Sequence, residues 1–349
     1  MIIDRNYGDE HIRMLQQRSK KDPQLIERSL YALGLLEALR KTGLPFIFKG
    51  GSCLMLLLPR VMRLSTDIDI VVAPGTDIDV YIQRASEIFP FVSFEEQIRV
   101  GKNNIEKRHF KFTYYSPVRQ STFYIILDIL FEENHYESLV EKEIQNELLL
   151  TDGSNLTVLV PTIDCILGDK FTAFAPHTTG IPLRANKDLE VMKQFYDICT
   201  LIDSHTNFQH VLASYKRIVA SELEYRGINS TMKDVLQDTI SSAIVIGSRG
   251  KIGADDYSVY VDGIHSVVTH NFAERFSGEI ASYRAANVIY MAACLLTDIP
   301  YEKIENYEEY ASEALTQPDL KVLSKMRKAQ PLQYAYLVKS DRLLREYRR

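Results

Sequence analysis

Apolar residues repeat at helical spacing directly after the polar N-terminal stretch. Asp22-Pro23 is a typical helix start, and Gly43 and Pro45 end the pattern. The apolar members between these limits are Leu25, Ile26, Leu30, Leu33, Leu36 and Leu39. This spacing of three to four residues predicts a helix over residues 24–41.

Short alternating segments follow and are typical of strands. Residues 47–59 comprise a brief apolar strand, a glycine pair and an apolar helical segment, and polar and apolar residues then alternate over residues 63–74. Residues 77–90 have a helical pattern. Further strands are predicted over residues 91–100, 107–116, 121–133 and 155–161, with turns at 101–104 and 116–117.

The pattern changes after residue 161, where long segments with helical periodicity follow one another to the C-terminus. The sequence therefore predicts an α+β protein of two domains. Residues 1–160 form a mixed-sheet domain, and residues 161–349 form an all-helical domain. An active site is expected in a cleft between them.

Composition narrows the class of protein. The 349 residues include 46% hydrophobic residues, enough for a large core, and the net charge of −5 excludes a general attraction to nucleic acid. The four cysteines lie far apart in apolar runs, which favours reduced core thiols over a zinc site. No signal peptide is visible, and no run approaches the ~20 apolar residues of a membrane span. We expect a soluble cytoplasmic protein without a membrane partner.

The richest chemistry lies in Gly50-Gly51-Ser52 and in Asp67-Ile68-Asp69, fifteen residues later. A glycine pair between a strand and a helix lets the backbone approach a phosphate closely, and helix amides with the Ser52 hydroxyl can hold its oxygens. Two aspartates at positions i and i+2 of a strand share one face. Their oxygens suit hard divalent cations, above all Mg²⁺ beside a nucleoside triphosphate.

Asp128 is the candidate third carboxylate. It stands alone among apolar residues in YIILDILF, where an unpaired charge is costly to bury. Each element is weak by itself, because a GGS is often a plain turn and a second DxD occurs at Asp77 and Asp79. That second pair is interpreted as helix-capping acids. The conjunction of all three elements favours a two-metal site for phosphoryl transfer.

These residues resemble the nucleotidyltransferase signature of the AbiEii/AbiGii-type toxins, within the DNA polymerase β-like superfamily. That signature is GG-S/T-x-L, a short helix, then R-x-S-x-D-x-D. The chain has matching residues at Gly50, Gly51, Ser52, Leu54, Arg63, Ser65, Asp67 and Asp69. ILGDKFTAF resembles the helix whose lysine contacts the nucleotide, and KQFYDICTL resembles a K-D-x-x-D helix. Lys170, Lys193 and Asp197 match, whereas Gln194 replaces the usual acid.

The resemblance implies transfer of a nucleotidyl group from a triphosphate onto an acceptor, with Mg²⁺, by the toxin of a toxin–antitoxin, abortive-infection type system. It implies that Asp67 and Asp69 hold both metals and that Asp128 holds the catalytic metal. Ser52, Ser65 and Lys170 would hold triphosphate oxygens, while Asp197 positions Lys170 or the base. Arg63 either binds phosphate or holds its loop.

The sequence does not identify the molecule that accepts the nucleotidyl group. Residues 321–349 carry a local charge of +7 with Tyr334, Tyr336 and Tyr347 interleaved. Basic residues that bind phosphates, with tyrosines that stack on unpaired bases, favour RNA, but the same pattern describes a solvated helix face. RNA, in relatives tRNA, is therefore the first candidate, and an antitoxin protein is a possible partner. The alternatives are transfer to a small molecule or protein, and a non-catalytic nucleotide-binding protein.

Overall fold

The computed structural model describes residues 1–97 and 106–347. They combine a seven-stranded mixed sheet with α-helices, which confirms the predicted α+β class. The turn predicted at 101–104, the end of the strand predicted over 91–100, and Arg348 and Arg349 of the basic stretch lie outside the described residues.

The chain forms two compact units. Unit 1 comprises Met1–Thr162 together with Thr269–Glu274, and unit 2 comprises Ile163–Val268 with Arg275–Arg349. The return of residues 269–274 to unit 1 has no counterpart in the predicted organisation, in which the whole second half is one helical domain.

The sheet of unit 1 has the order β3-β4-β5-β2-β1-β7-β6. Its strands are β1 Ile47–Lys49, β2 Ile68–Val72, β3 Phe91–Glu96, β4 Lys107–Ser116, β5 Ser121–Phe131, β6 Leu139–Glu143 and β7 Thr157–Pro161. Strand β2 is parallel to β5 and antiparallel to β1, while β4 is antiparallel to both β3 and β5. The carboxylate-bearing strands β2 and β5 are therefore neighbours at the centre of the sheet.

Four helices accompany the sheet in unit 1, namely α1 Asp9–Ser19, α2 Pro23–Thr42, α3 Gly50–Leu57 and α4 Asp79–Ser86. Helix α2 begins as the sequence predicts, since the Asp22 side chain accepts hydrogen bonds from the backbone N–H of Gln24 and Leu25. Asp77 accepts one from the backbone N–H of Asp79, but the N-cap of α4 is Ile78 and no side chain caps this helix, so the capping role predicted for Asp77 and Asp79 is wrong.

Strand β5 separates a core face from a more open face. Its residues Ile125, Leu127 and Ile129 are at most 1% exposed, whereas the alternate residues, Asp128 among them, are partly exposed. Because the side chains alternate, Asp128 lies on the face opposite the core residues. An apolar strand can thus carry a carboxylate without burying its charge.

A buried carboxylate anchors α2 to the sheet. Glu27 is fully buried and accepts hydrogen bonds from Tyr114 Oη at 2.9 Å, Ser116 Oγ at 2.9 Å and Val118 N at 3.1 Å. Burial, and next the Glu27 charge, raise the pKa of Tyr114, so its hydroxyl remains a donor. These bonds fix the rotation of α2 and therefore the direction in which Arg28, the next residue, points.

Unit 2 is helical, as predicted. Its helices are α5 Ile163–Ala173, α6 Asp188–Ser204, α7 Phe208–Arg226, α8 Met232–Ser248, α9 Ala254–His270, α10 Gly278–Thr297, α11 Pro318–Lys321, α12 Met326–Ala329 and α13 Pro331–Tyr347. Helix α10 packs against α6, α8 and α13. The four cysteines are buried, as predicted for core thiols, and none of them forms a disulfide.

Helix α10 corrects the expectation that no part of the sequence is long and apolar enough to span a membrane. Among the described residues it is the one helix long and apolar enough to cross a membrane by length and composition. However, 72% of its most apolar window is buried inside the protein. Its apolar surface is therefore largely used in packing, as in the core helix of a folded unit.

The basic C-terminal stretch is a packed helix in its last part. Tyr334 and Tyr336 are 2% and 5% exposed, so the prediction that they stack on unpaired bases is wrong. Lys339 pairs with Glu302, and Arg342 pairs with Glu313. These acids lie far away in the sequence, which is why counting charges over residues 321–349 overstates the local field.

Candidate active site

The glycine pair between β1 and α3 is enforced by its surroundings. Gly50 has φ +78°, and a Cβ at this position would lie 2.9 Å from Asp69 Cγ and closer still to Asp69 Oδ2. A Cβ at Gly51 would similarly collide with the Arg63 guanidinium. A side chain at either position would therefore displace Asp69 or Arg63, and the first position also has the left-handed conformation that favours glycine.

Two carboxylates stand side by side on the sheet. Asp69 of β2 is paired in register with Asp128 of β5, and side chains of paired residues in neighbouring strands share one face. Asp67 lies two residues before Asp69. Its side chain is half-exposed, and its Oδ1 lies 3.3 Å from the Arg28 guanidinium and accepts a hydrogen bond from Thr66 Oγ1.

The register extends this pair into a row of four polar residues. Lys49 of β1 is paired with Asp69, and His109 of β4 is paired with Asp128. The row across β4, β5, β2 and β1 therefore reads His109, Asp128, Asp69, Lys49. His109 Nδ1 lies 2.6 Å from Asp128 Oδ1, and the two side chains are 15% and 34% exposed.

Ser52 joins the start of α3 to the aspartate loop. It is 1% exposed, and its hydroxyl contacts the backbone carbonyl of Asp67 and lies 2.9 Å from Ser65 Oγ. A single hydroxyl thus ties the glycine turn to both later elements of the motif. These contacts explain why a serine follows the glycine pair and why Asp67 comes fifteen residues after it.

Arg63 is held in a small antiparallel arrangement with the returning segment 269–274. It is 4% exposed and forms an isolated β-bridge with Asn271. On either side, Leu64 N donates to His270 O at 2.8 Å and Phe272 N donates to Met62 O at 2.8 Å. The backbone before the aspartate motif is therefore fixed by residues more than 200 positions later.

The predicted residues of the second half form their own cluster in unit 2. Lys170 Nζ of α5 lies 2.9 Å from Asp197 Oδ2 and 2.7 Å from Gln194 Oε1, both on α6. The side chains of Lys170 and Asp197 are 7% and 1% exposed. The buried Lys170 ammonium is thus bound by the Asp197 carboxylate and by the neutral amide of Gln194. Gln194 stands where the family motif has an acid.

Within unit 1 the structure pairs Asp69 with Asp128, sets Gly50 against Asp69 and Gly51 against Arg63, and joins Ser52 to Ser65 and to the Asp67 backbone. Within unit 2 it joins Lys170 to Asp197. Three polar contacts of these residues were not predicted from the sequence. They are Arg28 with Asp67, His109 with Asp128, and Gln194 with Lys170. The alternation in KRHFKF could have indicated His109, because it places this residue on the same polar face of the strand as Lys107 and Lys111.

The donor set fits a hard divalent cation in kind, since it consists of carboxylate oxygens on adjacent strands. Over residues 1–97 and 106–347, however, no three histidine, cysteine or acidic side chains converge closely enough to hold a metal ion. The protein alone therefore offers part of a coordination sphere. This is the usual arrangement for Mg²⁺ that also binds substrate phosphates.

A family model described as "Nucleotidyl transferase AbiEii toxin, Type IV TA system" matches residues 34–277. The range includes every candidate residue described above. No match is found among the curated proteins.

Solved structures with a similar fold include JHP933 from Helicobacter pylori, at 14% identity and TM-score 0.44, with 78% of this chain and 94% of that chain covered. A nucleotidyltransferase-like protein from Paracoccidioides brasiliensis has 15% identity and TM-score 0.37, with 55% and 85% covered.

Proposed function

The chain belongs to the AbiEii nucleotidyltransferase toxin family of type IV toxin–antitoxin systems, and we propose that it transfers a nucleoside monophosphate from a triphosphate to RNA. Mg²⁺ is the proposed cofactor, and a cognate antitoxin is the proposed protein partner. Growth arrest during phage infection is the proposed role of the reaction in the cell.

The observation that carries this proposal is the register of Asp69 with Asp128 beside the glycine turn. Two like charges in register repel each other unless a cation lies between them. The glycine at position 50 lets the backbone approach Asp69 without displacing its carboxylate. This geometry suits a cation that must be reached by both carboxylates and by a phosphate.

Each aspartate has a proposed role. Asp67 and Asp69 would hold both metal ions, and Asp128 would hold the catalytic one and orient the acceptor hydroxyl. The metal ions supply charge stabilisation for the attacking and leaving oxygens of in-line transfer. Two contacts support this proposal, namely the pairing of Asp69 with Asp128 across strands β2 and β5 and the Ser52 contact to the Asp67 backbone.

The remaining predicted residues would act on the triphosphate. The first turn of α3 presents backbone N–H groups beside Ser52, and Ser65 lies next to that hydroxyl. Lys170 would neutralise charge that develops on the pyrophosphate leaving group. Asp197 and Gln194 hold its ammonium, and Arg63 holds the loop before Asp67.

RNA is favoured as the acceptor by the open face of β4 that continues from His109. Lys107 and Lys111 lie two residues on either side of His109, on the same face of the strand. Lys111 Nζ lies 4.7 Å from the centre of the Tyr124 ring. Cationic and aromatic side chains on an open sheet face are a typical surface for single-stranded nucleic acid.

The test is incubation of the protein with each α-³²P-labelled nucleoside triphosphate, Mg²⁺ and total bacterial RNA. Asp69→Asn is the inactive variant, and Asp77→Asn, from the second DxD, is the matched control. We expect label in discrete RNA bands with wild type and Asp77→Asn, and none with Asp69→Asn. Pyrophosphate release with small-molecule or protein acceptors instead would contradict the RNA assignment. Equal labelling by both variants would contradict the site.

A further inference from the structure

His109 lies directly opposite Asp128 across the β4–β5 strand pair. Strands β4 and β5 are antiparallel, and the two residues are directly paired, with Nδ1 2.6 Å from Oδ1. Asp69 is paired with Asp128 on the other side. The Asp128 carboxylate is therefore flanked by an aspartate and by a histidine.

The neighbours of Asp128 along β5 do not compete for its oxygens. Along β5, the residues two positions away are Ile126 and Leu130, which are apolar. In the described part of the chain, His109 is the side chain that hydrogen-bonds the Asp128 carboxylate, and the bond involves Oδ1. The second oxygen, Oδ2, keeps its lone pairs for a cation or a hydroxyl.

We propose that His109 is a positioning residue, whose ring N–H fixes the plane of the Asp128 carboxylate for metal binding and acceptor activation. A carboxylate on a strand turns about its terminal torsion, which has broad minima. A charge-assisted hydrogen bond to one oxygen restricts that rotation and offsets repulsion from Asp69. This inference rests on the proposed function, because it assigns Asp128 a part in the reaction.

The geometry also specifies which replacement keeps the bond. The side-chain amide nitrogen of asparagine lies near the place of the histidine Nδ1, so His109→Asn retains a donor to Asp128 Oδ1. His109→Leu removes the donor and keeps a side chain of similar bulk. The matched control is His135→Leu, because His135 also pairs with an acid, Glu132, at 3.8 Å, but lies outside the row.

The experiment measures kcat, the KM for the triphosphate and the half-saturating Mg²⁺ concentration for wild type and the three variants. Partners that orient metal ligands typically contribute about 10- to 100-fold in activity or metal affinity. We expect His109→Leu to lower kcat and to raise the Mg²⁺ requirement by that factor, with KM for the triphosphate within twofold. His109→Asn should recover most of the loss, and His135→Leu should match wild type.

A second measurement does not depend on turnover. Mn²⁺ binding followed by electron paramagnetic resonance should be weakened by His109→Leu and by Asp128→Asn, and retained by His109→Asn. If wild type binds Mn²⁺ in this pattern but labels no acceptor, the proposed function fails while the role of His109 stands. Mn²⁺ binding and kcat of His109→Leu within twofold of wild type would refute that role. So would an asparagine variant as impaired as the leucine variant while equally well folded by thermal denaturation.

Discussion

Gly50 has a left-handed backbone conformation and also lies against the Asp69 carboxylate. Its substitution by alanine, compared with the same substitution at Gly75, separates the effects of these two features. Gly50 has φ +78°, and Gly75 in the Pro74-Gly75 turn has φ +77°. A Cβ at Gly75 meets nothing within 4 Å, whereas one at Gly50 meets the Asp69 carboxylate. Gly75→Ala therefore carries the same backbone strain as Gly50→Ala without the contact.

The magnitudes follow from these numbers. A left-handed alanine costs about 1–2 kcal/mol, which for a unit of this size lowers the unfolding temperature by roughly 2–8 °C. Ordinary contact begins at 3.4 Å, so Asp69 Cγ, 2.9 Å from the added Cβ, must move by about 0.5 Å. Its oxygen, which lies closer, must move further. Since misplacement by ~1 Å can cost ~10²-fold in rate, we expect transfer to fall about 10- to 100-fold in Gly50→Ala alone.

The assay is RNA labelling by both variants at saturating triphosphate, with thermal denaturation of each. Gly75→Ala should lose stability and keep activity, whereas Gly50→Ala should lose both. If Gly50→Ala retains activity within threefold of Gly75→Ala, the glycine does not serve the Asp69 carboxylate, and the reasoning from close approach is refuted.

Two further predictions concern charge. Asp197→Ala leaves the Lys170 ammonium buried without its carboxylate, so we expect urea denaturation to show about 3–5 kcal/mol lower stability. The double variant Asp197→Ala/Lys170→Met should recover part of that loss, and equal losses in both would exclude the ion pair as the cause. The Arg108 hydrogen bond lowers the pKa of Glu96 below its ordinary value of 4.5. The ionised Glu96 carboxylate therefore stabilises unit 1 above pH 4.5. This contribution is lost as the pH falls through the lowered pKa. The stability difference between wild type and Glu96→Gln should therefore be larger at pH 7 than at pH 3, and an increase on acidification would contradict the sign.

Local patterns made much of unit 1 predictable. The glycine pair, the alternating aspartates and the apolar context of Asp128 are all visible within a few residues, because strand alternation alone decides which face a side chain takes. Helix α2 was also predictable, since its cap, its periodicity and its terminating glycine are local signals.

Contacts that depend on strand register or long-range packing were not predictable. His109 lies next to Asp128 only because β4 and β5 pair in one particular register. Strand β6 was missed because three of the five residues of LVEKE are charged, as suits a strand at the sheet edge. Tyr334 and Tyr336 were assigned to solvent because nothing in residues 321–349 shows that α13 packs against α10.

The return of residues 269–274 to unit 1 has a consequence for the order of synthesis. During translation, the loop that carries Arg63 leaves the ribosome long before His270 and Phe272, its backbone partners, have been made. We therefore expect unit 1 to stay incomplete on the nascent chain until residues 269–274 have been translated. For a member of a toxin family, a chain truncated before residue 269 would therefore lack the backbone partners of the loop that carries Arg63.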